Sequence, residues 1–247
     1  MSERISPAAP PPIMPVATAP PALDRLAARD LARLALGFYL VFWGTLVLVI
    51  GLCESLTAIT FRLTSMFLLG AGSLALATGT WRLHQVRTLG DSWRRRTREM
   101  VVVAGLLAYL CPFYVMWRRV PGNIYLLGHA LAMLALFSYS LTMLCHTAAV
   151  LGRVAGRRSL VTQAILFGSV SVVLLFPPLA LLAQLMVTAA HAGSDPLALL
   201  QFWLERSRPW MVLVLVLPFS LTLSLVWAAK DEVLHRLLTA PEERALD

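Results

Sequence analysis

Leu34 to Cys53 reads LALGFYLVFWGTLVLVIGLC, twenty residues without a formal charge. At about 1.5 Å of rise per residue, a helix of that length spans the roughly 30 Å of hydrocarbon in a bilayer. Five more uncharged runs follow: Leu63 to Trp81, Met100 to Trp117, Val120 to Gly152, Ser159 to Gly193 and Pro209 to Ala229. In lipid, backbone polar groups must be satisfied within their own segment. The sequence therefore predicts an all-α polytopic membrane protein, a bundle of six transmembrane helices over about 34–53, 63–81, 100–117, 123–150, 159–188 and 209–229.

These runs leave room for little else. With 58% apolar residues and a mean hydropathy of +0.74, spans and short connections fill positions 22–240 as a single transmembrane domain, with tails at 1–21 and 241–247. Cys53, Cys111 and Cys145 form no CxxC pair and no zinc spacing, which reads as structural thiols. The net charge of +8 raises nucleic acid as a partner, but that inference needs a basic patch on a soluble surface, and none is expected.

The charge belongs to topology instead. With the N-terminus inside, sixteen basic residues fall in inner segments (Arg4, Arg25, Arg29, Arg33, Arg82, Arg87, Arg94, Arg95, Arg96, Arg98, Arg153, Arg157, Arg158, Lys230, Arg236 and Arg244). Five fall outside: Arg62, Arg118, Arg119, Arg206 and Arg208. Cationic loops are retained in the cytoplasm, so both termini are expected there. Lys230 is the only lysine among these cations. That arginine bias suggests a GC-rich bacterial genome, and hence a multi-pass protein of a bacterial cytoplasmic (inner) membrane.

Around the spans, the first 22 residues carry Pro7, Pro10, Pro11, Pro12, Pro15, Pro20 and Pro21, which interrupt any cleavable leader and read as a disordered, Pro-rich cytoplasmic tail. Leu23, Leu26, Leu31 and Leu34, alternating with Asp24, Arg25, Arg29 and Asp30, predict an amphipathic helix at the inner interface. Glu54 and Arg62 bracket the first outer turn and are placed to pair across it.

Within the spans, small residues at four-residue intervals in the second run, Ala71, Ala75 and Gly79, predict a helix-packing seam. Ser138, Thr142, Cys145 and His146 in the fourth make a polar stripe expected to face the bundle interior. Pro112, Pro177 with Pro178, and Pro218 mark expected bends or breaks in the third, fifth and sixth. Trp81, Trp117, Trp210 and Trp227 near span ends read as an interfacial belt. Ser194 or Asp195, followed by Pro196, Leu197, Leu200 and Leu204, predicts a short capped helix on the outer surface. After the sixth span, a cytoplasmic helix carries Asp231 with His235 and Glu232 with Arg236 four apart, and Pro241 is expected to end it.

Few residues carry chemistry. His129 and His146 are the candidates for cofactor ligation, but 17 residues set them about 25 Å apart along one helix, near opposite faces. A hydrogen-bonded histidine at each interface is the simpler reading, and no cofactor and no metal are expected. No carboxylate or cation lies mid-span, so the usual parts of a proton relay are missing. No Walker loop, GxSxG or HExxH occurs. The inner basic loop, with Arg87, Arg94, Arg95, Arg96 and Arg98, attracts anionic lipid or simply fixes topology.

The reading that results is a non-enzymatic accessory, assembly or interaction component whose partners are the bilayer and another membrane protein. The alternative is a small permease with its path near the prolines of the third, fifth and sixth spans. A three-plus-three arrangement, with Pro112–Phe113 echoed by Pro218–Phe219, hints at an inverted repeat in its favour. A membrane redox or lipid-modifying enzyme stands third.

Overall fold

The computed structural model describes residues 23, 26–57, 63–206 and 209–243. Among them it is all-helical: α1 (Ala28–Thr57), α2 (Leu63–Gln85), α3 (Asp91–Arg119), α4 (Ile124–Val154), α5 (Arg158–His191), α6 (Pro196–Arg206) and α7 (Pro209–Glu243). By length and composition, α1 to α5 are each able to cross a membrane. The tail at 1–21, Arg62 and the side chains of Leu204 and Trp210 lie outside the described residues.

Backbone meets backbone between α1 and α2. Gly37, Gly44 and Gly51 recur every seven residues on α1, and Gly72 and Gly79 do so on α2. The helices run antiparallel. A methyl built on Gly44 would stand 2.5 Å from the Leu76 amide nitrogen and 3.0 Å from the Gly72 carbonyl oxygen, and one on Gly79 would stand 2.8 Å from the Val41 nitrogen and 2.9 Å from the Gly37 oxygen. Only glycine allows such an approach, which is how helices gain packing in lipid. Val41, Leu48, Leu69, Leu76 and Leu83 interlock between the glycines and are buried.

The seam expected at Ala71, Ala75 and Gly79 is therefore corrected in register. Gly79 belongs to it, but Ala71 faces outward and Ala75 only borders Gly44, because the contact row steps by seven through Gly72.

Other expectations shift in the same way. Among the described residues the interfacial helix expected before the first span is not a separate element: Asp24 and Arg25 lie outside them, α1 starts at Ala28, and Leu23, Leu26, Leu31 and Leu34 are buried in the bundle core. Pro112, Pro177, Pro178 and Pro218 break nothing, because α3, α5 and α7 remain continuous helices through them. Pro241 does not end α7, which runs on to Glu243. Trp81 and Trp227 are exposed, but Trp117 is only 1% exposed, because α3 continues past it and turns its indole into the core.

The remaining helices close a ring, α1 to α2, α3, α4, α5, α7 and back to α1, with α4 also packed on α7. The turn from α2 to α3 is held by Trp93, whose buried Nε1 donates to the Leu83 carbonyl at 3.2 Å and whose ring lies 6.4 Å from Phe38. α4 stops at a turn with Gly156 at φ 70°, where the Arg157 amide donates to the Gly152 carbonyl at 2.9 Å. The hairpin with α5 then packs closely at two glycines, Gly168 against Cys145 and Gly152 against Val161. Asp195 caps α6 through the Leu197 amide at 2.9 Å.

One end of the bundle gathers Arg33, the α2–α3 turn, the α4–α5 turn and the last turns of α7. Arg236 donates to the Ala155 carbonyl at 2.8 Å and to Glu232 at 2.9 Å, and Glu232 also pairs with Arg157 at 3.0 Å. This clamp fixes the end of α7 to the α4–α5 turn. We call it the basic end.

Candidate functional site

Most buried hydroxyls of α4 and α7 are spent on the bundle's own helices, whereas those of Thr45, Ser65 and Ser171 and the Trp117 indole nitrogen are buried without a hydrogen bond among the described residues. Ser138 donates to the Leu134 carbonyl at 3.0 Å and Thr142 to that of Ser138 at 3.4 Å. Thr222 on α7 donates to the Pro218 carbonyl at 2.8 Å, so the Cys145 thiol, 3.7 Å from the Thr222 hydroxyl, is the donor of that contact. Thr147 lies 2.8 Å from the Met100 sulfur and 2.9 Å from the Met143 carbonyl. Ser138, Thr142 and Cys145 are buried, while His146 is exposed. At 100° per residue, His146 stands about 80° round the helix from Ser138, past the edge of the stripe.

His129 sits between aromatic rings, 4.7 Å from Phe113 and 4.4 Å from Tyr125, with its Nδ1 2.9 Å from the Tyr125 carbonyl. It shares no site with His146. Among the described residues no three His, Cys, Asp or Glu side chains gather to hold a metal.

The prolines do not converge on a common lumen either. Pro112, Pro177 and Pro178 face outward and Pro218 is buried. The echoed Pro-Phe pairs have different surroundings, since Phe113 stacks on His129 and Phe219 on Phe137. Between α2, α3 and α4 lies a cavity of about 10 Å³, lined by Leu76, Thr80, Met100, Val103, Ser140 and Met143. It has room for one water. A shallow notch of about 350 Å³, formed by Pro121, Gly122, Ala190, Gly193, Ser194 and Asp195, opens at the end opposite the basic one.

Two buried features had no sequence motif. Tyr114 on α3 is fully buried, and its hydroxyl meets Ser55 on α1 at 2.6 Å. Since Ser55 donates to the Leu52 carbonyl at 2.9 Å, Tyr114 is the donor between them. The signal was present in the pairing need of any phenol placed within a span. Arg118, expected in the outer loop, is instead 5% exposed at the end of α3, within electrostatic reach of Tyr114 and Asp195.

At the basic end, Arg95 and Arg96 pair with Glu99 at 3.2 and 3.1 Å. Arg87, Arg94 and Arg98 instead lie within electrostatic reach of His84. Comparison with protein-family models, with curated proteins and with solved structures finds no match.

Proposed function

We propose that this chain is a six-span protein of a bacterial inner membrane, with both termini inside and α7 as the sixth crossing, and that it serves as a non-enzymatic accessory or assembly component. The observation carrying the proposal is the lining between α4 and its neighbours, where Ser138, Ser140, Thr142 and Thr147 bond carbonyls of their own helix and the space between α2, α3 and α4 is a cavity of about 10 Å³. A permease needs a wetted path to the midplane, and three of the four span prolines face away from the interior.

The outward surface favours a partner. In the most apolar stretch of α5 only 17% of residues are buried, against 39–50% in the other four candidate spans. Its exposed face includes Val173, Pro177, Pro178, Leu181 and Gln184. The prolines remove two backbone donors, so carbonyls one turn earlier are open to a neighbouring helix.

A photocrosslinker at Val173 tests this in native membranes. It should capture one defined membrane protein, whereas the same group at Tyr109 on α3 should give lipid adducts only. Solute-specific flux in proteoliposomes, abolished by Pro218→Ala, would replace this reading with the permease.

A further inference from the structure

The basic loop at the α2–α3 turn is not a uniform run of charge. Glu99 compensates Arg95 and Arg96. Arg87, Arg94 and Arg98 have no acidic partner among the described residues, and all three lie within electrostatic reach of the His84 ring. That ring is held in place, with His84 Nδ1 3.1 Å from the hydroxyl of Thr97. Thr97 is fully buried and donates to the Trp93 carbonyl at 2.9 Å, so its oxygen accepts from the imidazole. Trp93 is itself buried and bonded to Leu83. The cationic patch thus rests on a rigid, desolvated base.

Below it lies an apolar track. Phe67, Leu74 and Trp81 recur every seven residues along one face of α2 and are 77%, 64% and 52% exposed. The track ends at Trp81, whose ring is 6.3 Å from that of His84. Indole rings favour headgroup depth, so the face offers acyl-chain contact beneath concentrated positive charge. A free anion would use the arginines alone, and a nucleic acid would have no use for the apolar track.

We propose that Arg87, Arg94 and Arg98, framed by His84 and Trp81, bind the headgroup phosphate of an anionic phospholipid whose acyl chains lie along Leu74 and Phe67. The proposal rests on the membrane reading above and specifies one of its partners.

The test uses the purified full chain in mild detergent, titrated with phosphatidylglycerol, phosphatidylcholine or inorganic phosphate at equal phosphate. Lipid occupancy is read by native mass spectrometry and stability by the unfolding midpoint. Phosphatidylglycerol should bind and raise the midpoint, and the other two should not. The R87Q/R94Q/R98Q variant should bind phosphatidylglycerol roughly a hundredfold more weakly, from about a fivefold contribution per arginine.

R119Q/R153Q/R158Q removes the same charge elsewhere and should keep wild-type affinity. If the triple variant does not fold, Arg94→Gln alone should lose about fivefold by the same arithmetic. Equal weakening of the control would overturn the site in favour of diffuse attraction. Equal stabilisation by inorganic phosphate would make it a soluble-anion site, and equal binding of phosphatidylcholine would remove headgroup selectivity. Labelling of Gln85→Cys from outside intact cells would sink the orientation alone and leave the lipid result standing.

Discussion

Gly44→Ala puts the packing of α1 on α2 to its hardest test. The added methyl would sit 2.5 Å from the Leu76 amide nitrogen, with the Ala75 carbonyl carbon and the Gly72 oxygen each at 3.0 Å. Backbone cannot swing aside as a side-chain tip can. The two axes must part by roughly 1 Å, a gap that forfeits about a quarter to a half of each dispersion contact along the seam. Val41, Leu48, Leu69 and Leu76 all lose contact together, and overpacking of this kind costs about 1–3 kcal/mol. We expect the upper part of that range for Gly44→Ala and slightly less for Gly72→Ala and Gly79→Ala, where the nearest backbone atom is at 2.8 Å.

Gly70→Ala is the matched control on the same helix. Nothing lies within 4 Å of its methyl, and replacing a mid-helix glycine gains up to about 1 kcal/mol. Unfolding by sodium dodecyl sulfate in mixed micelles, followed by tryptophan fluorescence and circular dichroism, gives the order directly. Gly70→Ala should match or exceed the wild type and Gly44→Ala should be the least stable. A Gly44→Ala protein within about 0.5 kcal/mol of Gly70→Ala, the scatter of ordinary surface changes, would refute the argument.

Other expectations are as direct. Ser55→Ala should cost more than Tyr114→Phe, about 1–3 against 0.6 kcal/mol, because the first leaves a buried phenol without its acceptor and the second leaves Ser55 bonded to Leu52; a double-mutant cycle checks the coupling. Glu232→Gln releases Arg157 and Arg236 from their shared carboxylate, so hydrogen exchange over 233–239 should rise roughly tenfold while α1 and α2 stay protected. Unchanged exchange there would mean that the clamp contributes nothing. A membrane-impermeant maleimide should label exposed Cys53 in intact cells and leave buried Cys111 and Cys145 untouched. Labelling of Cys53 only after permeabilisation would invert the orientation.

Helical class and approximate limits were legible because an uncharged run longer than the hydrocarbon thickness has few other uses. Element ends were less so. α1 begins six residues before Leu34, since Asp30 and Arg33 pair at 3.2 Å and continue the helix beyond its apolar part. The register of the seam was not legible, because spacing along α2 alone cannot reveal its partner. The decisive pattern was the agreement of two periods, Gly37, Gly44 and Gly51 on one helix with Gly72 and Gly79 on the other. For Trp117 and Arg118 the sequence offers only an average rule for span ends, which does not know how far a helix continues or which way its last turn faces. His146 shares the spacing of the polar stripe, but its angle to Ser138 places it at the margin.

The glycine register also bears on the order of assembly. α1 ends at Thr57, α2 begins at Leu63, and their mutual contact row is complete by Leu83. Everything needed to dock the first pair therefore leaves the ribosome ahead of α3. The hairpin can enter the bilayer as a preformed wedge, and its outer surfaces then serve as the template on which the later helices settle in turn.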